Sequence, residues 1–340
     1  MEPINVNTLP EALSRSLQCR LALLHEPHNN ALRLFNGFTE GYPPLVVDLY
    51  GRTLVVFTHK VSAAESHVLA LTVHEALLPH ADWIECVLLK QRSSQVAAEK
   101  QGVVVYGSQP ASSIVENEIN YALDLQMNQD AGFYLDTSGL RAWLKANAGD
   151  KTVLNTFAYT GSLGVAALAG GAAHVLQIDR NARFLAGVKD TLLLNGLDQS
   201  KMKCTAVDFF VAAGQLRRRG ELFDIVIIDP PYFSVTPHGR VDQGKETTRL
   251  VNKARPLVNS GGWLVVVNNA LFLSGSAFMS ELDELTRDGY LSLQEIIPVN
   301  EDVTGYPETI VNKPPTDPAP FNHPTKMVIL KVKRKESGIL

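Results

Sequence analysis

The sequence predicts an α/β protein with a doubly wound, mainly parallel sheet of seven strands, preceded by a smaller N-terminal α+β domain. After about residue 135, apolar strand-like segments alternate with helical ones, which is typical of a parallel sheet with right-handed crossovers. The chain then ends in a predicted strand pair, Ser292–Pro298 and Lys326–Val332. Polar side chains follow several of the predicted strands, at the edge where open α/β sheets bind ligands.

Each element of the alternating part has its own local signal. Asp224–Ile228, for example, is an apolar, β-branched run of the kind found in buried parallel strands. The predicted strands are Thr152–Asn155, His174–Ile178, Lys203–Val207, Asp224–Ile228 and Trp263–Asn268. The predicted helices between them include Ser138–Ala148, Leu163–Ala169, Ala182–Asn195 and Lys245–Val258.

The N-terminal part has a different texture. Leucines at helical spacing predict a helical segment over residues 1–30. The predicted elements that follow are two strands within Leu45–Phe57 joined at Tyr50-Gly51, a helix over Ser66–Leu78, and strands over Trp83–Lys90, Gly102–Tyr106 and Tyr121–Met127. We therefore predict two domains after this segment. The first is a small α+β domain over 31–127, which is a candidate for substrate binding, and the second is the large α/β domain over 128–336.

Composition restricts the function classes. The chain has 340 residues, 45% of them apolar, and a net charge of -4, which argues against a protein that coats long stretches of nucleic acid. No apolar run approaches the roughly 18 residues of a membrane span. The three cysteines are scattered and no metal-ligand spacing occurs, so we predict a cytoplasmic protein without a metal. A homodimer is compatible with the sequence.

The segment from Asp229 to Tyr232, Asp-Pro-Pro-Tyr, is the most informative part of the chain. It directly follows the predicted strand Asp224–Ile228, and its two prolines cannot continue sheet pairing because they lack an N–H donor. The stiff turn would hold a carboxylate and an aromatic ring at the carboxyl edge of the sheet. A carboxylate or the Pro230 carbonyl can accept from an amino group while Tyr232 stacks on a flat heterocycle. We predict Asp229, Pro230 and Tyr232 as catalytic residues.

Polar and small residues after the other strands predict a nucleotide-type cofactor site. The loop after Thr152–Asn155 leads to Gly161, and Asp179 ends the next strand, where an acid can accept both hydroxyls of a ribose. Phe157 and Tyr159 occupy positions where a pyrophosphate cradle would need small residues, so the dinucleotide fingerprint is missing. A ligand with ribose and adenine but no phosphates fits better, which predicts S-adenosylmethionine. The candidate cofactor residues are Asn155, Phe157, Tyr159, Thr160, Gly161, Asp179, Asp208, Phe209 and Asp229.

Three segments resemble a group of bacterial 23S ribosomal RNA methyltransferases that use S-adenosylmethionine. Gln129–Asp136 looks like their lead-in segment, Asn155–Gly161 is similar to their cofactor loop, and Asp229–Ser234 is similar to their catalytic loop. Residues 33–48 resemble the small domain that precedes the catalytic domain in the cytosine methyltransferases of this group. The resemblance implies a methyltransferase sheet, adds Phe133 to the cofactor residues, and implies ribosomal RNA as partner.

The methylated atom is predicted from the cysteines. Carbon-5 of cytosine reacts only after a cysteine thiolate attacks carbon-6, and the resembling enzymes carry that cysteine after the fifth strand. Here the matching stretch, Val265–Phe272, contains none. Cys86 and Cys204 fall within predicted strands, where we expect buried structural thiols. We therefore predict methylation of a base nitrogen; 5-methylcytosine formation with an unidentified cysteine and a small-molecule or protein substrate stay open.

Overall fold

The computed structural model describes residues 9–334, which form two compact units. The first runs to Ser138 and includes Asn300–Lys313; the second comprises Gly139–Val299 and the chain from Pro314. The division falls later than the predicted boundary between residues 127 and 128. Residues 1–8 and 335–336 of the predicted domains lie outside the described part of the chain.

The segment after residue 127 is fastened to the first unit by two buried side chains. The Lys90 ammonium donates to the carbonyl oxygens of Asn128 (2.7 Å) and Asp130 (2.9 Å). The Tyr50 hydroxyl donates to the Phe133 carbonyl at 2.9 Å. Because these contacts join residues distant in sequence, the local pattern around residue 127 does not indicate them.

The first unit is built on one mixed five-stranded sheet in the order β1-β2-β3-β4-β5. All neighbouring pairs are antiparallel except β3 and β4, which run parallel and are connected along the chain by α3. The elements are α1 (Leu9–Arg20), β1 (Ala31–Asn36), α2 (Gly37–Glu40), β2 (Leu45–Tyr50), β3 (Thr53–Thr58), α3 (Ala63–Leu77), β4 (Cys86–Gln91), α4 (Ala97–Gln101), β5 (Val103–Gly107), β6 (Ser113–Glu116) and β7 (Ile119–Ala122), with short helices at Leu135–Thr137 and Glu301–Thr304.

The predicted strand Tyr121–Met127 is wrong over most of its length. The strand is Ile119–Ala122, and it pairs with Ser113–Glu116 in a separate hairpin. Beyond it the chain turns, because the Asp124 carboxylate accepts from the Gln126 N–H (3.1 Å) and the Asp124 carbonyl accepts from the Met127 N–H (3.1 Å). A short aspartate-initiated turn competes with the strand that the apolar pattern favours.

The second unit contains the seven-stranded sheet. Its elements are α5 (Ser138–Asn147), β8 (Thr152–Thr156), α6 (Ser162–Ala169), β9 (His174–Asp179), α7 (Ala182–Leu185), α8 (Val188–Leu194), β10 (Met202–Ala206), α9 (Phe209–Arg219), β11 (Phe223–Ile228), β12 (Phe233–Thr236), β13 (Gly239–Asp242), α10 (Thr247–Ala254), β14 (Val258–Asn268), α11 (Gly275–Thr286), β15 (Leu291–Ile297) and β16 (Lys326–Val332).

The strand order is β10-β9-β8-β11-β14-β16-β15, which confirms the predicted fold class. The first five strands are parallel, and β16 is antiparallel to both β14 and β15. The chain reverses its direction of travel across the sheet between β8 and β11, and ligands of doubly wound folds bind beyond the carboxyl ends of strands at such a point. No helix within residues 9–334 is long and apolar enough to cross a membrane.

Two predicted helices are shorter than expected. Ala182–Asn195 is divided at Gly187 into α7 and α8. The helix predicted to reach Val258 ends at Ala254 and gives way to a 3-10 turn that contains Pro256, while Val258 already begins β14. Proline lacks the N–H that an interior helical position would use, which accounts for this end.

The expectation of a buried Cys204 is also wrong. Cys204 lies within β10, the edge strand of the sheet, and every side chain of β10 is exposed or half-buried, the Cys204 thiol among them. Both faces of this edge strand are therefore little covered, which a local sequence pattern does not reveal. Cys86 is buried in β4, as predicted.

Candidate active site

The ends of the central parallel strands place the predicted polar residues at one edge of the sheet. Asn155 is the second-last residue of β8 and lies opposite Gln177 of β9. Asp179 is the last residue of β9 and lies opposite Ala206 of β10. Asp208 lies two residues beyond the end of β10, and Asp229 directly follows β11. Parallel strands end at the same edge, so the fold brings these four predicted side chains to a common rim.

The loop after β8 has an unusual backbone. Phe157 and Tyr159 adopt positive φ angles of 54° and 50°, and Gly161 adopts 81°. Non-glycine residues in this conformation are strained and occur often at functional sites. The Ala158 N–H donates to the Ile178 carbonyl at 2.8 Å, and the Tyr159 N–H donates to the Asp179 carboxylate at 2.9 Å. The loop is therefore held against the end of β9.

The Gln177 side chain supports this loop through hydrogen bonds, and the sequence analysis did not identify Gln177 as a site residue. Its side chain is fully buried; it accepts from the Asn155 amide at 2.9 Å and donates to the Gly161 carbonyl at 3.1 Å. A Cβ atom at Gly161 or Gly164 would lie within 2.6 Å of the Gln177 side chain. The two glycines are thus required by Gln177. The available signal was a glutamine inside an otherwise apolar strand.

The carboxylates of Asp179 and Asp208 are half-buried, and each already accepts one or two hydrogen bonds from backbone N–H groups. Asp179 accepts from the backbone N–H groups of Tyr159 (2.9 Å) and Asn181 (2.8 Å), one on each oxygen. Asp208 caps α9 by accepting from the Phe210 N–H at 2.9 Å. A carboxylate has about four acceptor positions, so each group retains capacity to accept from ligand hydroxyl or amino groups.

The aromatic residues of the rim differ in their exposure. Phe209 is 4% exposed and belongs to the apolar core, with its ring centroid 4.8 Å from that of Phe157. Phe157 is only partly buried, and it lies against this core. Tyr159 makes an edge contact with Phe184 at 4.7 Å. Phe209 therefore supports Phe157 from behind, and Phe157 is the more accessible ring.

The predicted catalytic segment, Asp229–Tyr232, is buried at Pro230 and exposed at Tyr232. Pro230 is buried, and its carbonyl accepts a hydrogen bond from the side-chain amide of Gln243. The Tyr232 carbonyl accepts from the Gln243 N–H at 3.0 Å, while the Tyr232 side chain is 51% exposed. One lone pair of the Pro230 carbonyl is thus already used, which the sequence did not indicate.

Gln243 links this loop to the end of β14. Its side-chain oxygen accepts from the Asn269 N–H at 2.5 Å, and its carbonyl accepts from the Asn268 amide at 2.9 Å. The Asn268 amide also donates to the Thr247 hydroxyl at 3.0 Å. Both Gln243 and Asn268 are 1% exposed, so Asn268 has a supporting position and does not face a ligand.

Phe133 and Thr160 are the two remaining predicted site residues. Phe133 lies in the first compact unit, is 4% exposed and packs against Tyr121 with a ring-centroid distance of 4.9 Å. Thr160 is half-buried in the loop after β8. The second unit thus brings together the predicted site residues from Asn155 to Tyr232.

The donor and acceptor set suits an adenosine without a pyrophosphate. The buried Asn155 side-chain oxygen has no hydrogen-bond partner among residues 9–334, and half-buried carboxylates follow three successive strands. Carboxylates suit ribose hydroxyls and amino groups, but they repel phosphates. Among the described residues, no group of three or more His, Cys, Asp or Glu side chains is placed to hold a metal ion.

This sheet order and rim define an α/β enzyme that binds a nucleoside-type cofactor at the carboxyl edge of its sheet. The family model for S-adenosylmethionine-dependent methyltransferases matches residues 80–300, which is more than half of the chain, and the chain belongs to that family. Its cofactor is S-adenosylmethionine, as predicted.

Curated relatives and solved structures agree with this assignment. The chain is 26% identical to ribosomal RNA large subunit methyltransferase I of Erwinia tasmaniensis, over 87% of this chain and 75% of that protein. The enzyme of the same name from Shewanella denitrificans is 27% identical, over 86% and 74%.

The fold is shared with solved methyltransferase structures. A proposed methyltransferase complexed with SAH has a TM-score of 0.82 at 23% identity, over 98% of this chain and 83% of that one. A tRNA m1G37 methyltransferase from M. jannaschii has a TM-score of 0.56 at 14% identity, over 96% and 79%.

Proposed function

We propose that this protein transfers the methyl group of S-adenosylmethionine to a base nitrogen of ribosomal RNA. The observation that carries the proposal is Tyr232, an exposed aromatic side chain two residues after the buried Pro230, in the segment that follows β11. The names of the curated relatives, ribosomal RNA large subunit methyltransferases, support ribosomal RNA as the substrate.

The proposed mechanism depends on positioning. The bound cofactor supplies an electrophilic methyl group on a sulfonium. Asp229 and the remaining lone pair of the Pro230 carbonyl accept from the amino group of the base, which aims the nitrogen lone pair at that methyl. Tyr232 stacks on the base and fixes its plane, an interaction worth about 1–3 kcal/mol. As the nitrogen–methyl bond forms, the methyl–sulfur bond would break and its electron pair would return to sulfur, which leaves as a thioether. The nitrogen then gives its proton to the Asp229 carboxylate that already accepts from it.

The cysteines support nitrogen over carbon-5 as the acceptor. The only cysteines are Cys19, Cys86 and Cys204, and none lies in the loops after β11 or β14. Burial raises the pKa of the Cys86 thiol to about 11, so it is protonated at neutral pH. Carbon-5 methylation needs a thiolate facing the base, and these positions do not offer one at the rim of the second unit.

Methyl transfer from labelled cofactor to total RNA of a deletion strain tests the substrate. We expect incorporation into large-subunit ribosomal RNA, and mass-spectrometric mapping should locate one base that carries the methyl on nitrogen. Incorporation into protein or small metabolites only, with none into RNA, contradicts the proposal. A methyl on carbon-5 of cytosine contradicts its nitrogen part alone.

Tyr232→Ala tests the role of the exposed ring. We expect turnover to fall about 10- to 100-fold while the dissociation constant for the cofactor changes less than twofold, since the ring contacts only the base. Leu194→Ala is the control, because Leu194 is likewise 51% exposed and lies in the same unit, but at the end of α8, which precedes the start of β10. Equal turnover in the two variants removes Tyr232 from the mechanism.

A further inference from the structure

The hairpin formed by β12 and β13 directly continues the catalytic loop and has two chemically different faces. Ser234 lies opposite Val241, and Val241 is 2% exposed within the core of the second unit. Gly239 packs on the Phe210 ring so closely that a Cβ atom there would lie 2.5 Å from it. One face of the hairpin therefore packs against the core of the second unit.

The opposite face is apolar and open. Side chains alternate across a strand, so Phe233 and Val235 share the outward face with their cross-strand partners Asp242 and Arg240. Phe233 is 55% exposed and Val235 is 62% exposed. Large apolar side chains that share an exposed face mark interaction sites more often than isolated ones do.

The charges beside this face favour an anionic partner. Arg240 contacts Glu246 at 2.8 Å, and Arg249 contacts the same carboxylate oxygen at 3.3 Å, so two guanidinium groups share one acid. Lys245 is exposed nearby in sequence, and Asp242 turns its carboxylate toward the Gly244 N–H at 3.1 Å. The three cationic and two acidic side chains leave a net positive charge of one, and both arginines are half-exposed.

We propose that the outward face of the β12–β13 hairpin is a docking platform for single-stranded RNA next to the methylated base. A flanking base stacks on Phe233, and Arg240 and Arg249 contact the adjoining phosphates. The inference rests on the proposed RNA substrate. Aromatic rings combined with cations suit single-stranded nucleic acid. A pair of four-residue strands offers less apolar surface than the roughly 800 Å² per partner of a stable dimer.

Binding of a short fluorescein-labelled single-stranded RNA, measured by anisotropy, tests the platform without requiring turnover. We expect Phe233→Ala to weaken binding about 5- to 100-fold and Arg240→Gln to reduce the salt slope by about one. Cofactor affinity should stay unchanged in both variants. Leu194→Ala, which removes a 51% exposed apolar side chain from the end of α8 in the second unit, should bind the RNA as the wild type does.

The outcomes separate the platform from the proposed function. Methylation of ribosomal RNA with unchanged RNA binding and KM in both hairpin variants overturns the platform alone. Hairpin-dependent RNA binding without any methylation of RNA overturns the proposed substrate but keeps the platform. A wild-type dimer in sedimentation that Phe233→Ala dissociates, with RNA binding unaffected, assigns the face to a second copy of the chain and overturns the inference.

Discussion

Asp179 links the cofactor loop to the rim at the scale of single residues. Its two oxygens accept from the N–H groups of Tyr159 and Asn181, so it fixes the loop and keeps acceptor capacity toward a ligand. The Tyr159 backbone has a positive φ, and the hydrogen bond offsets part of that strain. The same carboxylate is therefore both a structural anchor and the proposed ribose acceptor.

Asp179→Asn should weaken S-adenosylmethionine binding by about 10-fold. The substitution replaces a charged acceptor with a neutral one, and hydrogen bonds to charged groups contribute about 1.5–3 kcal/mol. Isothermal titration calorimetry measures the dissociation constant. Asp283→Asn, an exposed acid on α11, serves as the control and should bind the cofactor normally. Equal affinity in the two variants would show that Asp179 does not contact the cofactor.

Gln243 is the other residue whose importance is decided by its contacts. Gln243→Ala leaves the buried Pro230 carbonyl and the part-buried Asn269 N–H without their partner, and an unsatisfied buried group costs about 1–3 kcal/mol. We expect a lower free energy of unfolding and a fall in kcat that exceeds any change in cofactor affinity. Urea denaturation and steady-state kinetics measure these changes. Gln294→Ala, at an exposed position of β15, should alter neither.

At the scale of elements, two glycines flank α8, Gly187 before it and Gly196 after it. Gly187 lies between α7 and α8 in a right-handed helical conformation, with φ of -72° and ψ of -10°. Gly196 follows α8 with a φ of +60°. An added Cβ atom would meet nothing within 4 Å at either position. The two glycines therefore differ in backbone conformation but not in available space.

Substitution of these glycines by alanine should have opposite effects. Gly187→Ala should stabilise the protein by about 0.4–1 kcal/mol, because it restricts the unfolded chain at a position that alanine tolerates. Gly196→Ala should destabilise it by about 1–2 kcal/mol, the cost of a left-handed conformation with a side chain. Thermal or urea denaturation gives both values. Destabilisation by Gly187→Ala would mean that the junction between α7 and α8 needs glycine for another reason.

At the scale of the whole molecule, a buried ion pair joins distant parts of the chain within the first unit. Arg20 is fully buried and contacts Glu40 at 2.9 Å. The same guanidinium donates to the Asp302 carbonyl at 2.7 Å and to the Arg33 carbonyl at 2.7 Å. Residues 300–313 therefore return to the unit that begins the chain, although the second unit intervenes in the sequence.

Arg20→Met should destabilise the first unit by about 3–5 kcal/mol. Removal of one partner leaves Glu40 as a buried charge and the carbonyl groups without a donor. Arg52→Met is the matched control, because the Arg52–Glu85 pair is exposed, and such pairs contribute about 0–1 kcal/mol. Denaturation monitored by circular dichroism compares the two variants. A similar loss in both would show that burial of the Arg20 pair has no special effect.

The sequence by itself determined the chain order of the seven strands of the large sheet and of the helices α5, α6, α7–α8 and α10, because the alternation of apolar runs is a local property; it did not indicate α9, α11 or the β12–β13 hairpin. It also determined the aspartates and the asparagine that follow the parallel strands, since residues at strand ends must reach the same edge of the sheet. The family match confirms the cofactor that this pattern predicted.

Only the tertiary structure decided which side chains support that rim. Gln177 and Gln243 matter through hydrogen bonds to residues far away in sequence, and Cys204 is exposed because both faces of β10 are little covered. The extent of the first unit depended on Lys90, Tyr50 and Arg20 in the same way. Periodicity reports which residues prefer to be buried, but the partner that each buried polar group finds is fixed only when the chain has folded.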